Sequence, residues 1–133
     1  MKKTLTTICL LLACLMASAQ ASFFEATMVR VCSLDEEGHV IECKDMESST
    51  VFEIGAKLEY VRIIPPDGER EHYHAFKVDN SEDGKTYYFF TRRELLNNRY
   101  DFVIDFTDKT IYVNDHSDPT FGFLFYYSKT WRQ

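Results

Sequence analysis

From Thr27 to Tyr127, apolar and polar residues alternate with a period near two, interrupted at short intervals by turn-forming residues. Val29 and Val31 alternate with Met28, Arg30 and Cys32, Val40-Ile41 leads to Cys43, and Val51-Phe52-Glu53-Ile54 follows. The run from Leu58 to Ile64 ends at Pro65-Pro66-Asp67-Gly68, where two prolines remove backbone donors and Asp-Gly favours a turn. Alternation resumes over His72 to Val78, a loop is predicted at Asn80-Ser81-Glu82-Asp83-Gly84, and Lys85 to Phe90 returns as a strand rich in Tyr and Phe. Phe102, Ile104 and Phe106 share one face, as do Ile111 and Val113. A turn centred on Asp108-Lys109 sets Phe106 against Ile111 and Ile104 against Val113. Phe121 to Tyr127 reads as a closing, largely buried strand.

One helix is predicted. Thr91-Arg92-Arg93-Glu94 has capping-box spacing, Leu95 and Leu96 follow, and Asn97-Asn98 can stop it. The count is eight or nine strands joined by tight turns. An antiparallel sheet must hide a greasy face and two open edges, and closure does both. The expected fold is therefore all-β: a small antiparallel up-and-down or partly open barrel of eight or nine strands with one short helix. A two-sheet β-sandwich is the alternative.

The N-terminus adds a destination. Lys2 and Lys3 precede an apolar run from Leu5 to Met16, and Ala17-Ser18-Ala19 and Ala19-Gln20-Ala21 offer small-x-small cleavage sites. This is the order of a secretory signal peptide, here 1–21, leaving 22–133 as a single domain with no later transmembrane segment. The expected location is the periplasm or the exterior. Leu11-Leu12-Ala13-Cys14 also resembles a lipoprotein signal, which would anchor the protein through Cys14.

The net charge is −6, and cleavage removes Lys2 and Lys3 but no acid. So acidic a surface, with Arg92-Arg93 followed at once by Glu94, argues against nucleic acid as a partner. Of four cysteines, Cys9 and Cys14 lie in the signal. Cys32 and Cys43 remain, and a single pair in an oxidising compartment reads as a disulfide. A two-residue turn at Glu37-Gly38 puts Glu36 opposite His39 and Cys32 opposite Cys43, within bridging range. A Gly-bulged turn would shift that register by one.

Candidate chemistry is sparse. No nucleophile elbow, His-Glu-x-x-His, phosphate loop or calcium loop is present, no cofactor is implied, and no catalytic residue stands out. His72 and His74 lie two apart on a strand and so share a face, which suits a metal, with His116, Asp115 or Asp118 as a third ligand. The other oddity is eleven Phe, eight Tyr and one Trp. Tyr suits half-wet contact surfaces, and Tyr60, Tyr73, Tyr88, Tyr112 and Tyr127 are the candidate ligand or partner surface. The expected function is a secreted or periplasmic, non-catalytic binding domain for a protein, a peptide or a small apolar ligand. The alternatives are a metal-binding protein or metal-assisted hydrolase around His72/His74, and a structural component of a surface assembly.

Overall fold

The computed structural model describes residues 20–133. The export reading of 1–21 and the lipid attachment at Cys14 fall, apart from the last two residues of the signal, outside the described residues. The rest forms eight strands: β1 (Ser22–Leu34), β2 (Val40–Ile54), β3 (Tyr60–Ile64), β4 (Glu71–Asn80), β5 (Thr86–Arg93), β6 (Arg99–Asp105), β7 (Thr110–Asp115) and β8 (Phe121–Arg132). Each pairs antiparallel with the next, and β1 also pairs with β8, so the hydrogen bonding is cyclic. Just before the β1–β8 ladder, Ala21 donates its N–H to the Gln133 carbonyl at 2.8 Å, and Gln133 donates to Ala21 at 3.0 Å.

Apolar residues with period two line the inside of this cycle. Phe24, Phe52, Ile54, Val61, Tyr73, Phe89, Phe102, Ile104 and Ile111 are all at most 5 % exposed. Their rings meet edge to face, which complements ring quadrupoles: Tyr73 with Tyr100 at 4.6 Å, Tyr73 with Phe102 at 5.2 Å, Phe52 with Phe125 at 4.9 Å, and Phe24 with Tyr127 at 5.0 Å. The aromatic surplus therefore fills the interior of a small domain that has few leucines.

The expected barrel with a short helix is corrected in its helix and in the form of its sheet, while the strand count falls within the expected eight or nine. There is no helix among the described residues. Thr91, the predicted cap, is a fully buried residue of β5, and its hydroxyl donates to the Tyr100 carbonyl on β6 at 2.9 Å. A hydroxyl engaged across the sheet cannot cap, and Glu94–Asn98 instead form a turn in which Leu95 and Asn97 have φ of 70° and 59°. The count is eight, because Val40–Cys43 and Val51–Ile54 belong to one 15-residue strand. Finally, neither a partly open sheet nor a two-sheet sandwich describes a single sheet whose first and last strands pair. Nor is closure uniform. Only Val51–Ile54 of β2 pairs with β3, so Val40–Thr50 is bonded to β1 alone. That part of β2 forms an arm along the free margin of the sheet, its rows continuing through β1 and β8 into β7.

Two turns also differ from expectation. The β6–β7 hairpin pairs Ile104 with Ile111 and Phe102 with Val113, two residues from the predicted register. Asp105 causes this by accepting the N–H of Thr107 and Asp108 at 2.9 and 3.0 Å, which builds a wider turn, and Lys109 takes a φ of 56°. A shift of two preserves which side chains face inward, so the core face survives while Phe106 moves into the turn, 42 % exposed. At the β1–β2 turn the chain closes between Asp35 and His39, with Gly38 at φ 84°. A bulge between Ser33 and Leu34 then restores the missing residue, and Cys32 faces Cys43 as predicted.

Candidate functional site

The arm is built by what stops its neighbours. The last β2–β3 pair is Val51 with Ile64, and the next residues of β3's chain are Pro65 and Pro66. These cannot extend the ladder alongside Ser49 and Thr50, so β3 ends and the β2 edge is left bare. The Cys32–Cys43 disulfide staples the arm, with the two Cα atoms 4.0 Å apart. So short a separation marks a non-hydrogen-bonded antiparallel pair. Leu34 donates its N–H to Thr120 at 2.7 Å, which independently turns the even residues of β1 toward β8 and its odd residues toward β2. The pairs Val29–Met46, Val31–Lys44 and Ser33–Glu42 therefore carry the β1–β2 bonds. Cys43, Asp45 and Glu47 point their backbone N–H and C=O groups outward, and no strand pairs with them among the described residues.

Exposed apolar side chains frame this edge. Val40 is 62 % exposed, Ile41 67 %, Met46 49 % and Phe121 41 %. Val31, Ser33, Lys44, Met46 and Phe121 line a shallow groove on the face that continues the core side of the sheet. On the opposite face Arg30 donates to both carboxylate oxygens of Asp45, at 2.7 and 3.2 Å, and lies over the Tyr126 ring. This fork raises the Arg30 pKa and lowers that of Asp45, chiefly through the side-chain hydrogen bond.

A second polar cluster lies on the outer face of β2–β4, where Glu53, Arg62 and His72 stand opposite one another in successive strands. Glu53 is 6 % exposed although it faces away from the core. Tyr60 donates its hydroxyl to Glu53, and Arg62 reaches both Glu53 oxygens at 3.1 and 3.2 Å while lying over the Tyr60 ring. Burial, together with the hydrogen bond to Glu53, pushes the Tyr60 pKa up to about 12. Arg62 also directs its guanidinium at Nδ1 of His72 at 3.3–3.4 Å, so Nδ1 accepts and the ring proton sits on Nε2.

Burial, then the neighbouring His74 and Arg62, lowers the His72 pKa below 6.5. The folded protein thus binds this proton less readily than the unfolded chain, and stability is lost as pH falls through the region of 6.5 and below. We expect the melting temperature to decline between pH 7.5 and 5.0 and the decline to flatten in His72→Gln. An unchanged slope in that variant, followed by calorimetry, contradicts this origin.

The predicted site residues separate in space. His72 and His74 do share a face, with ring centroids 4.5 Å apart. His116, in the β7–β8 turn, is hydrogen-bonded to Asp101 of β6 at 2.7 Å. Among the described residues no group of three or more His, Cys, Asp or Glu is placed to hold a metal ion. Of the five tyrosines, Tyr73 and Tyr127 are buried inside. The Tyr73 hydroxyl donates to Glu71 at 2.6 Å, and its pKa rises steeply through burial. Tyr88 and Tyr112 share one outer row, Tyr88–Val103–Tyr112–Leu124–Arg30, and Tyr60 lies elsewhere on the outer face. A Cβ at Gly122 would meet the Tyr112 hydroxyl at 2.7 Å, so the glycine makes room for this ring.

The sequence reading missed a basic–aromatic patch. Arg92 and Arg99 lie over Phe76, and Arg99 and Lys77 over Phe90, all at 5.4–5.7 Å. Residues far apart in the chain meet there, and only the β4–β5–β6 register reveals it. It missed the bare β2 edge for a related reason: an unpaired edge is a property of where the neighbouring strand stops.

Comparison with family models, curated proteins and solved structures gives no match for this chain.

Proposed function

We propose that this protein is an exported, non-catalytic binding module that engages a protein segment by strand addition at the outer edge of β2. The observation that carries this reading is the row of unpaired backbone groups at Cys43, Asp45 and Glu47, framed by exposed Val40, Ile41 and Met46. Main-chain hydrogen bonds along such an edge supply affinity, and the flanking side chains select the partner. Rings occupy most of the interior, and the cavity that Phe24, Ile54, Tyr87, Phe89, Ile104 and Phe106 line at one end, about 280 Å³, is small for an ordinary ligand pocket, which favours a protein or peptide over a small apolar ligand. The disulfide and the signal-like N-terminus agree with an oxidising compartment.

Asp45→Pro tests the reading. It removes an outward N–H that β1 does not use, so the arm persists while strand addition is blocked. Asp45→Ala controls for loss of the Arg30 pair. We expect a photo-crosslinking side chain at Ile41 to capture protein in wild type and in Asp45→Ala, and to lose capture in Asp45→Pro. Capture unaffected by proline, or equal capture from Tyr88, contradicts the assignment.

A further inference from the structure

We infer that the β2 edge selects an extended peptide segment, added antiparallel, whose residues run basic, apolar, polar, acidic, unrestricted, basic from its N- to its C-terminal end. The inference rests on the strand-addition reading above and goes further by naming the chemistry of the partner. The usable edge is short. Ile41 is the extra residue of a bulge, and His39 has its N–H and C=O engaged with Asp35 at 2.8 and 2.9 Å, so regular pairing stops at Glu42. At the other end the ladder with β1 is irregular beyond Glu47, between Ala26 and Met28. Within Glu42–Glu47 the outward backbone groups belong to Cys43, Asp45 and Glu47. An added segment therefore bonds through its residues opposite these three, and antiparallel pairing is the more stable arrangement per residue.

Residues that face each other across a ladder put their side chains on the same side of the sheet. Cys43, Asp45 and Glu47 lie on the face of the Arg30–Asp45 fork, and Glu42, Lys44 and Met46 on the groove face. All six residues are exposed. Glu42, Lys44 and Glu47 form no ion pair among the described residues, so a cation fits opposite Glu47, an anion opposite Lys44 and a cation opposite Glu42. Asp45 is already held by Arg30, and the residue opposite it need only be polar. Met46 stands in one row with Val29 and Phe125, and Phe125 packs edge to face on Phe52 in the core. An apolar side chain opposite Met46 extends that row and covers its exposed thioether. The position opposite Cys43 has no charge to match.

The same charges fix the register. Slipping the segment by two residues keeps the backbone parity. In one direction its acid then faces Glu42, and in the other its last basic residue faces Lys44. Each slip sets like charges together, so specificity comes from repulsion in the wrong registers as well as attraction in the right one. A segment with two basic residues and one acid is also drawn toward a chain whose net charge is −6.

Synthetic peptides test this without altering the protein. The probe is fluorescein-labelled Gly-Lys-Val-Thr-Glu-Ala-Lys-Gly, whose six central residues stand opposite Glu47 down to Glu42 in turn. Fluorescence anisotropy is expected to show saturable binding of this peptide. Gly-Glu-Val-Thr-Lys-Ala-Glu-Gly, with all three charges reversed, is expected to bind at least about tenfold more weakly. Methylating the backbone nitrogen of the threonine removes a hydrogen bond to Asp45 and should abolish binding, whereas methylating that of the valine, which points away from β2, should not. In the triple variant Glu42→Lys, Lys44→Glu, Glu47→Lys the preference between the two peptides inverts, and a preference that does not invert overturns the assignment of these charges. If the wild-type protein takes both peptides equally, or neither up to about 1 mM, while Ile41 still captures a protein in the proline-sensitive manner described above, the strand-addition reading stands and only this choice of partner falls. Equal effects of the two methylations overturn both, since binding then does not run through the backbone of the edge.

Discussion

Replacing Phe102 by alanine lowers the stability of the protein by about 4 kcal/mol and its melting temperature by roughly 15 °C. Phe102 has no exposed surface, and its ring packs against Tyr73 at 5.2 Å and Tyr100 at 6.4 Å. Its strand is bonded on both sides, to β5 through Phe89 and to β7 through Val113. A cyclic sheet cannot narrow locally without breaking a ladder, so the space vacated by the ring stays largely open, and the cost exceeds the transfer energy of the lost atoms. Phe102→Leu, which keeps most of the volume, is expected to cost about 1.5 kcal/mol. Equilibrium urea unfolding measures both, and a loss below about 1 kcal/mol for alanine would show that this position does not lie in a closed, filled interior.

The second large effect is electrostatic. Arg62→Met is expected to destabilise the protein by about 3 kcal/mol. The Glu53 side chain is 8 % exposed and that of Arg62 27 %, so the pair is largely withdrawn from water. Removing the guanidinium leaves the carboxylate with the Tyr60 hydroxyl as its remaining side-chain partner and strips His72 of its Nδ1 donor. Much of the loss is therefore the penalty on a stranded acid rather than the worth of the pair. The double change Glu53→Met, Arg62→Met should recover most of it, because no uncompensated charge remains. If the double variant is less stable than Arg62→Met, the penalty has been assigned to the wrong group.

Alternation was legible where one face of a strand meets the core. Phe52 and Ile54, or Phe102 and Ile104, announce their inward face by period two, and the parity argument survived even the two-residue shift of the β6–β7 register. The disulfide was legible too, because Cys32 and Cys43 are the one pair of cysteines beyond residue 20 and strand register sets them opposite each other. What failed was information carried by partners distant in sequence. Thr91 and Glu94 satisfy a local capping rule, but the Thr91 hydroxyl is taken by Tyr100 of the next strand. Lys44 to Thr50 has no greasy face to reveal it as strand, since that segment stands outside the ring and is half-buried at most. The tyrosines could not be sorted into surface and core from composition, because Tyr73 and Tyr127 face inward with phenolic oxygens at the margins of the interior. Even the acid content misleads locally: Glu53 is buried although it faces away from the core.

The arm and its unpaired edge are the claim on which the functional reading stands, and amide hydrogen exchange resolved by residue tests it most directly. In a dilute sample, where chains are separate, the amides of Glu42, Lys44 and Met46 should exchange slowly, because they bond to β1. Those of Cys43, Asp45 and Glu47 should exchange at rates close to those of an unstructured chain. Slow exchange at all six positions under dilution would mean the edge is already covered within one molecule, and fast exchange at all six would mean the arm is not formed.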